Sequence, residues 1–221
     1  FAQPITIEKQ GAFSAGGTVI EAKKTFDPYH PEPDAMTLHG DHANVIYQIP
    51  AHAKNVSLMF LHGAGQSMRT WQTTPDGREG FQSVFLRKGY PVYLIDQPRR
   101  GDAGRATVDG TIKASPDEQF WFGQFRMGLW PKFYDNSAFA SQKDLNSFWR
   151  QMTPNTAPYN DKVIADAVTD ALQKTEGTVL VTHSQGCGPG WLIGTEAGKN
   201  LKGIIAFEPG SGFIFPEGKV P

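Results

Sequence analysis

Thr178-Val179-Leu180-Val181-Thr182-His183-Ser184-Gln185-Gly186-Cys187-Gly188-Pro189-Gly190 is the stretch on which the reading of the fold turns. Its first five residues are β-branched or aliphatic, which suits a buried strand. Ser184 then falls between that strand and a following segment, 188–199, that reads largely as a helix. A serine at the apex of a strand–turn–helix has its hydroxyl projected above the edge of a sheet, and small neighbours let the strand and helix approach closely. The pattern is Gly-x-Ser-x-Gly with Thr182 in the first position and Gly186 in the last. An ordinary β–α turn with a helix-capping serine would look similar. The turn alone leaves both readings open.

Working outward, elements alternate between strand and helix on both sides of this turn, which predicts a mainly parallel sheet covered on both faces. Strands are expected at 43–49, 56–61, 91–95, 178–182 and 203–207, and helices at 79–88, 161–174 and 188–199. Residues 5–9 and 17–21 read as a hairpin turning near Gly16-Gly17, 25–36 as a loop rich in Pro, Asp and His, and Phe213 to Pro221 as a loop. The helix at 161–174 carries Val163, Ile164, Ala167, Val168, Ala171 and Leu172 on one side. About 65 residues separate the strand at 91–95 from that helix, too many for a plain loop. A cap insertion at about 106–160 is expected there. It is dense in aromatic residues, among them Phe122, Phe125, Trp130, Phe133, Phe148 and Trp149, which either build a small core of their own or wall a pocket.

Two further motifs sit at strand ends. Residues 58–71, Leu-Met-Phe-Leu-His-Gly-Ala-Gly-Gln-Ser-Met-Arg-Thr-Trp, run from an apolar strand into a glycine-rich turn. Asp96-Gln97-Pro98-Arg99-Arg100-Gly101 follows the next strand, and Asp96 reads as structural, ordering a turn through hydrogen bonds to backbone.

Together these three motifs, in this order, resemble the α/β-hydrolases. The stretch from His62-Gly63 through Trp71-Gln72-Thr73-Thr74-Pro75-Asp76-Gly77-Arg78 is similar more narrowly to a small group of exported bacterial esterases. The resemblance covers nearly the whole chain and implies one incomplete α/β-hydrolase domain over 1–221, short of its C-terminal strands. It implies a serine hydrolase of carboxylic esters or lactones. Ser184 is then the nucleophile, and the backbone N–H groups of Ala64 and Gln185 form the oxyanion hole. Glu208, 24 residues after Ser184 at the end of the strand Ile204-Ile205-Ala206-Phe207, is then the triad acid. Residue type alone would make it a surface glutamate.

The sequence departs from the family order, serine then acid then histidine, because His30, His39, His42, His52, His62 and His183 all precede Glu208. His62 reads as a structural hydrogen-bonding group, His183 as pointing away from the serine hydroxyl, and the other four as solvated. The triad histidine is therefore expected outside this chain. The Gly- and Pro-rich residues 209–221 suit an exposed, cleavable loop. A second polypeptide of roughly 70–110 residues is expected to complete the sheet of a nicked enzyme. Two alternatives remain: an acyltransferase with the same apparatus, and a non-catalytic protein binding a hydrophobic ligand.

The totals bound the partners. Net charge is −1 and no apolar run approaches the roughly 20 residues of a membrane helix, so neither nucleic acid nor a membrane span is expected. The substrate expected is a small ester with an apolar or aromatic group. No metal-ligand cluster, dinucleotide motif or phosphate loop is visible, and no cofactor is expected. The only cysteine is Cys187, so no disulfide closes within the chain. A start at Phe1-Ala2-Gln3-Pro4 reads as a mature product after removal of a signal peptide, hence secreted or periplasmic. The sequon Asn55-Val56-Ser57 opens a buried strand and is discounted.

Overall fold

The computed structural model describes residues 3–139 and 141–210. Its centre is a six-stranded sheet. In chain order the strands are β1 (Ile7–Ala15), β2 (Ala43–Pro50), β3 (Ser57–Leu61), β4 (Val92–Asp96), β5 (Thr178–His183) and β6 (Leu201–Phe207). Their spatial order is β1-β2-β4-β3-β5-β6. β2 runs antiparallel to both its neighbours, and the pairs from β4 to β6 are parallel.

Side-chain alternation divides the core. From β3, β4 and β5, Met59, Leu61, Tyr93, Ile95 and Leu180 pack on one face with two helices, α4 (Asp161–Gln173) and α5 (Cys187–Glu196). Leu58, Phe60, Val92, Leu94 and Val181, one position away in each strand, pack on the other face against Trp71 and helix α1 (Phe81–Arg87). Period-two strands with both faces buried read as the continuous apolar runs seen in the sequence. On α4 the buried stripe is Ile164, Ala165, Ala167, Val168, Ala171 and Leu172, so Ala165 takes the place expected for Val163, which is half-buried. Asn160 caps this helix, its side chain accepting from the Val163 N–H at 3.0 Å.

One expectation is overturned. Residues 5–9 and 17–21 do not form a hairpin. β1 continues to Ala15 and pairs along its length with β2, while Thr18–Ile20 leaves to pair with Leu38–Gly40. Gly16 and Gly17 do turn the chain, with φ of 62° and 100°, but they turn it from one sheet to another. Gly16 lies so close to α4 that a Cβ would stand 2.6 Å from the Ala167 Cα, and its N–H donates to Asp170 at 2.8 Å. A register shift between Ile7 and Lys9 hid the length of β1: it puts Ile7 on one face and Phe13 and Ala15 on the other, although all three are odd-numbered.

The cap carries helices α2 (Glu118–Gln124) and α3 (Gln142–Trp149) and the short pair Gly128–Leu129 with Lys132–Phe133. Phe122, Met127 and Leu145 are buried among Phe133, Phe139, Phe148 and Trp149, so the insertion has its own core. Phe120 and Trp130 remain largely exposed. The tail from Phe213 lies outside the described residues.

Candidate active site

β5 ends at His183, and Ser184 takes φ 50°, a left-handed conformation rare for a side-chain-bearing residue, before α5 begins. Strain of this kind persists where surrounding contacts over-determine it. Here the contacts are close packing by glycine: a Cβ on Gly186 would lie 2.5 Å from the His62 carbonyl oxygen, and one on Gly190 would lie 2.9 Å from Thr182 Cγ2. Thr182 explains its own departure from the usual motif. Gly190 leaves room for its methyl group, and its buried hydroxyl meets the Cys187 thiol at 3.1 Å.

The loop after β3 lies against this turn. A Cβ on Gly63 would stand 3.0 Å from Ser184 Cβ. Ser184, Ala64 and Gln185 are all half-buried, which is the exposure a reacting group and its donors need. The Gly63 N–H is already used, donating to Gln66 Oε1 at 3.1 Å, and His183 Nδ1 lies 3.0 Å from the same oxygen. By contrast the Ala64 N–H makes no backbone hydrogen bond among the described residues. The loop is held from several sides. Arg100 Nη1 donates to the carbonyls of Gly63 at 3.3 Å and Gln66 at 3.0 Å, and the Thr153 N–H of the cap donates to Gly65 O at 2.7 Å.

His62 is buried, with Nδ1 3.1 Å from Gly63 O, while the Gln97 N–H donates to its Nε2 at 3.4 Å. These partners make Nδ1 the protonated nitrogen of a neutral ring. Burial, with the Arg100 charge adding to it, pushes its pKa down to about 3. Asp96 accepts from the Met68 N–H at 2.6 Å and the Asp102 N–H at 2.8 Å, so it orders two turns. Burial outweighs those bonds and raises its pKa. His183 meets Trp71 edge-on and is also shifted down by burial. His30, His39 and His52 are exposed, and His42 is half-buried.

Glu208 follows β6, in which Phe207 is level with His183 of β5, and the Gly210 N–H donates to Ser184 O at 3.0 Å. The structure thus brings Glu208 to the strand edge beside the serine turn. Its carboxylate is exposed and accepts from Arg126 of the cap at 2.7 Å. Sequence reading missed Arg126, whose only signal was a charge among cap aromatics. It also missed Arg100, hidden in an Arg-Arg pair that resembles a solvated loop. A cleft of about 620 Å³ opens between Gly65 and cap residues that include Trp149, Met152 and Pro116. Among the described residues no cluster of His, Cys, Asp and Glu is arranged to hold a metal ion.

Comparison with known proteins agrees with this fold. A solved bacterial esterase is similar at 29% identity with a TM-score of 0.81, over 95% of this chain and 70% of its own. A probable secreted lipase from a fungal species is 32% identical over 161 residues, which is 69% of this chain and 44% of that protein. The chain therefore spans less than half the length of that lipase. Residues 58–220 match the model of the alpha/beta hydrolase family. Strand order, the serine turn and this match lead to one conclusion: the chain belongs to the alpha/beta hydrolase family.

Proposed function

We propose that this protein hydrolyses a carboxylic ester or lactone through an acyl-serine intermediate. One observation carries the reading: Ser184 stands at φ 50° between β5 and α5, with the glycine-rich loop of Gly63 and Ala64 packed against it. The similarity to a bacterial esterase and a probable secreted lipase supports the ester as substrate class. It also supports an exported protein.

In this mechanism Ser184 Oγ attacks the carbonyl carbon and its proton passes to a histidine. The resulting oxyanion accepts hydrogen bonds from the Ala64 and Gln185 N–H groups. The alcohol leaves with the proton from that histidine. Water then attacks the acyl-serine by the same route and frees the carboxylate. His62 and His183 are committed to Gly63, Gln97 and Gln66, so the reading takes its histidine from a segment outside these 221 residues, in the family order after Glu208. Glu208 orients that histidine from the edge of β6; Arg126 donates to its Oε2. In the cleft beside Gly65, Trp149 and Met152 offer contacts to an apolar or aromatic group of the ester, while Lys113, Asp117 and Glu118 make the rest of its lining polar.

Hydrolysis of short p-nitrophenyl esters by the full-length protein tests the assignments. Ser184→Ala is expected to abolish turnover with the fold intact. Glu208→Gln is expected to lower kcat severely, by up to about 10⁴. Turnover that survives in Ser184→Ala removes the serine mechanism, and an unchanged rate in Glu208→Gln makes Glu208 a surface residue.

A further inference from the structure

Arg100 is the largest fully buried side chain among the described residues, 1% exposed. Burial of a cation is costly unless its hydrogen bonds are made and its charge is used. Its recorded acceptors are all neutral: Asn155 Oδ1 at 2.7 Å, Gln66 O at 3.0 Å and Gly63 O at 3.3 Å. Burial pushes its pKa down to about 10, so it stays a cation at neutral pH, and the backbone-held carboxylate of Asp96 favours that charged form.

The third acceptor matters most. Gly63 C=O and Ala64 N–H belong to one peptide unit, and a trans peptide is planar, with its C=O and N–H pointing in opposite directions. Fixing that carbonyl fixes the direction of the amide. Three donors fix it: the buried side chains of Arg100, through Nη1 at 3.3 Å, and His62, through Nδ1 at 3.1 Å, and the Gln66 N–H of the loop's own turn at 3.3 Å. The bond to Gln66 O holds the other end of the same loop. Donors on a carbonyl also polarise its peptide, so the N–H becomes a stronger donor in turn.

The geometry points to Arg100 as the positioning residue of the oxyanion hole: its guanidinium locks the Gly63–Ala64 peptide with the Ala64 N–H turned toward Ser184. The assignment rests on the serine-hydrolase reading. Its bond to Asn155, and the backbone bridge between Arg100 and Asn155, tie the same lock to the segment by which the chain returns from the cap. A preorganised donor acts on the charge that develops in the transition state, and much less on the bound ester. Loss of the lock is therefore read in kcat, with KM little changed.

The test measures kcat, KM and inhibition by a trifluoromethyl ketone on the full-length protein, with folding checked by circular dichroism. Arg100→Met is expected to lower kcat by about 100-fold, the size of one lost oxyanion donor, with KM within about threefold. Arg100→Lys, which keeps the charge without the fork, is expected to restore part of that loss. Ketone affinity is expected to fall in step with kcat/KM. Asn155→Ala leaves Arg100 in place and frees its Nε, and a fall of about fivefold in kcat is expected. That variant decides the matter if Arg100→Met does not fold. Wild-type kcat and ketone affinity in Asn155→Ala and in folded Arg100→Lys overturn the assignment, as does a loss confined to KM. Ser184→Ala in the same assay separates the two readings. If it retains turnover, the serine mechanism fails whatever Arg100 does; if it is dead while the Arg100 variants are unimpaired, only the role of Arg100 fails.

Discussion

At the residue scale, the site is built from groups whose chemistry is set by what they already hold. His62 is one. As a type it is a candidate base, but its ring is enclosed and neutral, with both nitrogens engaged by backbone. Its position just after an apolar strand and before Gly63 made the structural role readable. The neutral state has a consequence for stability. The folded pKa, about 3, lies below the ordinary value of 6.5, so the unfolded chain binds a proton that the folded chain refuses between those limits. Stability from this source is complete above pH 6.5 and is lost as pH falls toward 3. His183, shifted down by burial, adds in the same sense. Denaturant unfolding between pH 7 and pH 4 should therefore show a steady decline, up to about 1.4 kcal/mol per pH unit from one such group. His62→Gln should flatten that decline. An equally steep slope in the variant would show that His62 is not the group responsible.

Among the elements, the sequence revealed strands through their apolar runs and helices through their stripes, and it failed where backbone irregularity intervened. Nothing in Ile7 to Ala15 announced the bulge that lets one strand serve both faces, and Gly16-Gly17 looked like a hairpin turn because composition does not say which strands a turn joins. The cap was legible as a length anomaly whose aromatic residues could build a small core, as they do, but its helices were not, because they are short and its aromatics follow no period. Its core now makes a prediction. Phe122 is fully buried, with Trp130 and Phe133 edge-on to it at ring distances of 5.3 and 5.2 Å. Phe122→Ala should cost about 3–5 kcal/mol locally. Hydrogen exchange should quicken across α2 and α3 while β3, β4 and β5 keep their protection, since among the described residues these two helices share no core cluster with the sheet. Equal loss of protection in β4 would show that the cap and sheet unfold as one.

For the whole molecule, function follows from where the sheet presents its strand ends. The loop after β3, the turn after β4, the serine turn after β5 and Glu208 after β6 all leave the sheet at its carboxyl edge, where ligands of open α/β sheets collect. The order of these motifs along the chain was visible in the sequence. Their convergence was expected only through the family resemblance, because it depends on β5 lying between β3 and β6, a neighbour relation that follows from packing and not from spacing. Arg100 and Glu208 each bond a side chain of the cap, Asn155 and Arg126, 55 and 82 residues distant in sequence, and no local pattern connects them.

The central claim, that Ser184 is an activated nucleophile, is tested most directly by a fluorophosphonate probe and peptide mapping of the adduct. The probe reacts with a serine only where a base and an oxyanion hole assist it. The expected result is one phosphonylated residue, Ser184, in the native full-length protein, with none in Ser184→Ala or after unfolding. An adduct at any other residue, or a native protein left unlabelled while it still hydrolyses esters, would contradict it.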